Sequence, residues 1–163
     1  MSTGLLAFTL FHTALSLIQL VAGIIVVFAL MGSRDGGSWM PIYLVSGIAT
    51  SVTGFMFPVN SFLPSHAFGI LSLVLFAVIL VARYRFHLAG AWRWIFAASL
   101  VMTVYLDAFV AVVQAFLKIP SLHALAPNGS EPPFAIAQGI LLVLFVAFGI
   151  IASRSYHPTA RMA

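Results

Sequence analysis

Hydrophobic positions in this chain fall into five long blocks, not into a short alternation. They run over Leu5–Met31, Met40–Phe57, Ser65–Ala82, Trp92–Phe116 and Phe134–Ala152. A helix rises about 1.5 Å per residue, so about 20 apolar residues cross a hydrocarbon layer about 30 Å thick. No water inside that layer can satisfy backbone amides, so runs of this length are predicted as helices. Boundary residues agree. Ser38-Trp39-Met40-Pro41 and Leu63-Pro64-Ser65 open the second and third runs, with proline in a first turn. Ser130-Glu131-Pro132-Pro133 opens the fifth, and Gly32, Gly36 and Gly37 close the first. Pro58, Asn60 and Pro64 argue against merging the second and third runs into one helix. The first run, about 27 residues, exceeds a signal-peptide core of about 7–15 and lacks a preceding basic residue, so it is expected to remain as a helix.

Polar residues interrupt these blocks in a pattern. Thr103, Asp107, Gln114 and Lys118 are spaced 4, 7 and 4 along one stripe of the fourth run. His12, Ser16, Gln19 and Gly23 are spaced 4, 3 and 4 along the first. Ser46, Thr50 and Thr53 share a face of the second, with Gly47 and Gly54 suited to close helix approach. His66 begins the third run, and Gln138 follows Glu131 by seven residues. Asp107 is the single acid within any run.

Composition changes the picture in one respect. Charged residues make up 6% of the chain and hydrophobic ones 63%, against about 25% charged in a soluble domain. The net charge of +4 is therefore read by position, as a membrane signal and not a nucleic-acid one. Arg34, Arg83, Arg85, Arg93, Arg154 and Arg161 all fall at one end of an up-and-down arrangement, and Lys118 falls at the other. Short basic loops stay cytoplasmic. The expected fold is an all-α integral membrane protein, a single domain over 1–163 forming a five-helix transmembrane bundle. Its N-terminus is expected outside and its C-terminus in the cytoplasm, and its expected location is a bacterial cytoplasmic (inner) membrane.

In that topology the outer half holds His12, Asn60, His66, Gln114, Lys118, His123, Glu131 and Gln138, Asp107 forms a floor, and the inner half is almost wholly apolar. Ionisable groups inside a membrane cost about 2.5–3.5 kcal/mol or more, so they are functional candidates. The expectation is a pocket walled by the first, third, fourth and fifth runs. It would bind a small amphipathic ligand (quinone, haem or lipid) through His12, Gln19, His66, Asp107, Gln114, Glu131 and Gln138. Asp107 and His12 are candidate catalytic acid and base for a lipidic substrate. The alternative is a structural or accessory subunit whose polar residues only fix helix packing. No cysteine is present, no two histidines stand at i, i+3 or i, i+4, and no HExxH, GxSxG or P-loop occurs, so no metal site is expected. The expected partners are the bilayer and a membrane protein or second copy, with no nucleic acid.

Overall fold

The computed structural model describes residues 3–58 and 64–158; Asn60 and Arg161 lie outside them. Helices α1 (Thr3–Met31), α2 (Trp39–Gly54), α3 (Pro64–Leu80), α4 (Trp92–Lys118), α5 (Pro120–Leu125) and α6 (Pro132–Ser155) account for most of that chain. No strand occurs among the described residues. Two elements differ from the sequence reading. α3 continues into a π-helical turn, Val81–Arg85, where the apolar run meets its first arginines. The stretch after Lys118, expected as loop, folds into the single turn and a half of α5, because Pro120 pre-sets the first helical φ.

Ring and hydrogen-bond contacts fix the helix directions. At one end, Arg83 forks onto both oxygens of Asp35 at 2.7 Å, and the Tyr156 hydroxyl donates to Asp35 at 2.8 Å. The Ser33 hydroxyl donates to the His157 carbonyl. At the other end, Phe8 meets Phe57, Phe68 stacks on Phe109, and Phe116 meets Phe134. Consecutive long helices therefore run antiparallel, and α2 packs against α3. A Cβ on Gly69 of α3 would stand 2.9 Å from the Phe55 ring just past α2.

α1, α4, α6 and the α3 segment extended to Arg85 are long and apolar enough to cross a membrane. α2 has 16 residues, about 24 Å at the helical rise. α4 is the central helix: 56% of its membrane-length window is buried, against 6% for α6. Large apolar side chains point outward on α1, α2 and α6, with Leu10, Val45 and Val143 each more than 60% exposed. A surface of this kind suits hydrocarbon and not water.

The dry core lies in the arginine-bearing half. Val26, Leu30, Met40, Phe76, Ile79, Phe96 and Leu100 are all almost fully buried there. Tyr43 sits among them, its hydroxyl bonded to Thr103 and to the Leu100 carbonyl. The core is closed at the same end by Tyr156, whose hydroxyl is held protonated by burial and by the Asp35 carboxylate beside it.

Gly23 lets α1, α2 and α4 meet. A Cβ there would lie 2.7 Å from Val104 Cγ2 and 3.0 Å from the Tyr43 ring. Gly23→Leu is expected to destabilise the bundle by about 1–3 kcal/mol through overpacking. Thermal unfolding in detergent checks this; an unchanged midpoint would mean that the three helices do not pack closely at Gly23.

Candidate functional site

A cavity of about 140 Å³ lies between α1, α2, α3 and α4, in the half opposite the arginines. α1 supplies His12, Ser16 and Gln19 at the 4 and 3 spacing seen in the sequence. α4 supplies Asp107, flanked by Leu106 and Val110. α2 contributes Thr50, Ser51 and Gly54, and α3 contributes Ser65, Phe68, Gly69 and Ser72. The small residues leave room where two helices would otherwise close.

Hydrogen bonds define the polarity of this wall. The Thr53 hydroxyl donates to the Ala49 carbonyl at 2.7 Å, so towards His12 it accepts. His12 Nδ1, 2.8 Å away, then carries the proton, a tautomer assigned from the network. Nε2 is left as an acceptor. The Ser16 hydroxyl donates to Asp107 Oδ1 at 3.1 Å. The second carboxyl oxygen, Asp107 Oδ2, is buried with no hydrogen-bond partner among the described residues. The same holds for Gln19 Oε1 and Thr50 Oγ1. All three belong to residues that line the one cavity. Gln19 is only 4% exposed, so solvent outside the bundle does not serve it.

The other candidates are elsewhere. His66 stacks on Phe55, ring centroids 5.7 Å apart, and is not part of the cavity wall. Gln114 is exposed on α4. Gln138 is buried away from the cavity; its Nε2 donates to the Phe109 carbonyl at 3.2 Å, tying α6 to α4, while its Oε1 has no partner among the described residues. Glu131 caps its own loop, accepting from the Asn128 backbone and side chain and from the Ser130 amide. The wall expected from the fifth run is therefore built by α2 instead. α6 packs on the far side of α4, where α4's own bulk separates it from the cavity. Among the described residues no three His, Asp or Glu side chains gather to hold a metal ion.

The sequence pattern assigns Thr50 to helix packing and does not single out Ser72 or Tyr43. Hydroxyl residues are common in membrane helices, where they normally bond their own helix, so nothing in the sequence marks one as facing a cavity. Tyr43 closes the core one helical turn below Asp107, through Thr103. A single tyrosine in an apolar run carries no such signal.

No protein-family model, curated protein or solved structure matches this chain.

Glu131 offers a test of the loop assignment. Desolvation is the largest single influence and acts upward, but the Asn128 and Ser130 donors together outweigh it and hold the carboxyl below its ordinary range. A carboxyl so depressed supports the loop above its unfolded value and loses that support as pH falls through the folded one. NMR shifts of the Asn128 and Ser130 amides are expected to step in that acid window, and Glu131→Gln to remove the step. Persistence of the step in the variant would show that another group orders the loop.

Proposed function

We propose that the chain is a five-span protein of a bacterial cytoplasmic membrane whose cavity binds the head of a small amphipathic ligand. α2 is taken as the fifth span. It runs antiparallel between α1 and α3, and the residues flanking it supply what its 16 lack in length. The N-terminus is placed outside and the C-terminus inside, because Arg34, Arg83, Arg85, Arg93 and Arg154 share one end.

The observation that carries the reading is that Asp107 Oδ2, Gln19 Oε1 and Thr50 Oγ1, all buried and without a partner among the described residues, belong to residues lining a single cavity. Leaving a buried polar group unmatched costs about 1–3 kcal/mol, so three at one place favour an occupant that satisfies them. The wall offers the unpartnered Asp107 and Gln19 oxygens as acceptors and carries no lysine or arginine. It suits a head that brings hydrogen-bond donors: the hydroxyls of a quinol, or the ammonium or hydroxyls of a lipid. At about 140 Å³ the cavity is smaller than the about 300–1,000 Å³ of drug-sized sites, which favours a head group over a haem macrocycle.

An acid–base enzyme acting on a lipidic substrate is the second reading, because Asp107 and His12 line the same cavity, where one can donate a proton as acid and the other accept one as base.

Native mass spectrometry of protein released in mild detergent, with an absorption spectrum on the same sample, tests the proposal. A reproducible bound mass is expected. Gln19→Leu and Asp107→Leu should each lower its retention about tenfold, the equivalent of about 1.4 kcal/mol, whereas the exposed Gln114→Ala should not. Asp107→Asn keeps the size of the side chain but, with Ser16 still donating to its oxygen, turns an amide N–H towards the head, so it should weaken retention of a donor-bearing ligand and abolish any acid–base activity. A clean apo mass would sink the binding reading and favour an accessory subunit.

A further inference from the structure

A second concavity is larger than the polar cavity. A groove of about 450 Å³ runs between α4 and α6, on the opposite side of α4. It extends from Trp94 and Arg154 at one end to Tyr105 and Leu142 at the other. Those separations correspond to about 17 Å along each helix. Half of a hydrocarbon core is about 15 Å, so the groove has the length of one leaflet. Its floor is set by small residues: Ala98 on α4 and Gly149 on α6, where a Cβ would reach Val101 at 3.7 Å. The wall is apolar except at the Arg154 end.

Charge distinguishes that end. The chain has three acids, and only Asp35 lies there, with Arg83 forked onto both its oxygens. Glu131 lies in the loop before α6, at the opposite end, and Asp107 lines the polar cavity. Arg154 is exposed, and no carboxylate pairs with it among the described residues. A guanidinium at the mouth of a leaflet-deep apolar groove, with an indole beside it at headgroup level, matches a lipid phosphate above an acyl chain.

We propose that the α4–α6 groove is a site for an anionic phospholipid, one acyl chain lying along Ala98 and Gly149 and the phosphate resting on Arg154. This site is separate from the cavity around Asp107 and does not depend on what that cavity binds. A second copy of the chain or a partner helix would fill the groove with side chains instead and would gain nothing from the arginine at its mouth.

Native mass spectrometry with added dimyristoyl phosphatidylglycerol or dimyristoyl phosphatidylcholine tests the assignment. At equal lipid the intact protein should retain phosphatidylglycerol about fivefold more than phosphatidylcholine, the effect of one basic residue near the headgroup. Arg154→Gln should bring the two to parity, and Arg34→Gln, at the same end but outside the groove, should leave the preference unchanged. Gly149→Leu or Ala98→Leu should reduce retention of both lipids, with folding confirmed by thermal unfolding. Equal retention of the two lipids by the unmodified protein would overturn the proposal. So would equal effects of Arg34→Gln and Arg154→Gln, which would point to a diffuse field, or unchanged lipid retention in a folded groove-filling variant. If both filling variants fail to fold, the comparison of the two arginine variants decides. A stable dimer that loses lipid and is broken by Gly149→Leu would assign the groove to a second copy.

Discussion

Where no water reaches, a polar group must find its partner inside the protein, and most of this bundle follows from that requirement. Its hydroxyl residues show how it is usually met. Thr9, Thr13, Ser46, Ser51 and Thr53 each donate to the carbonyl one helical turn earlier. Thr103 does the same towards Ser99 and Leu100 while also engaging Tyr43. Such groups satisfy themselves wherever their helix is placed. Longer side chains such as Asp107 and Gln19 reach beyond their own helix and must be matched by a neighbour. Asp107 is matched on one oxygen only, and Gln19 Oε1 is not matched at all among the described residues.

The same requirement divides the molecule into two zones. Near the arginines the interior is filled by aliphatic and aromatic side chains, with Tyr43 as a fully buried polar member bonded to its surroundings. This zone is tied across its end by Asp35, Arg83 and Tyr156, which join the α1–α2 loop, the π-turn after α3 and the tail of α6. The π-turn aims Arg83 back over the end of the bundle, a use of irregular helix geometry common where a side chain must be redirected. The opposite zone is looser. Gly54 and Gly69, with Ser51, Ser65 and Ser72, leave a cavity that larger residues would close. A closely packed half thus supports a half with space in it. α4 belongs to both, and it separates the polar cavity from the apolar groove against α6.

Much of the architecture was legible in the sequence because the length of an apolar run and the position of its arginines act locally. The all-helical fold, the antiparallel order, the break between α2 and α3 and the stripe formed by His12, Ser16 and Gln19 follow from spacing alone. Residues four and three apart share a helix face whatever that helix packs against. The turn of helix at Pro120 and the π-turn at Val81 were not legible, since each depends on how a run ends against its neighbours.

Rotation of each helix about its axis was decided only by tertiary packing. Nearly all faces of these helices are apolar, so no contrast between an oily and a polar side selects the one that turns inward. Shape makes that selection: Gly23 fits against Val104 and Tyr43, and Gly47 faces Phe76. That choice brought Thr50 and Ser72 into the cavity, turned Gln114 to the outside and gave Gln138 to a backbone carbonyl. The sequence by itself determined which polar groups the bundle contains, because their chemistry is written residue by residue. Which of them meet was determined by steric fit between distant segments, a property that no single segment carries.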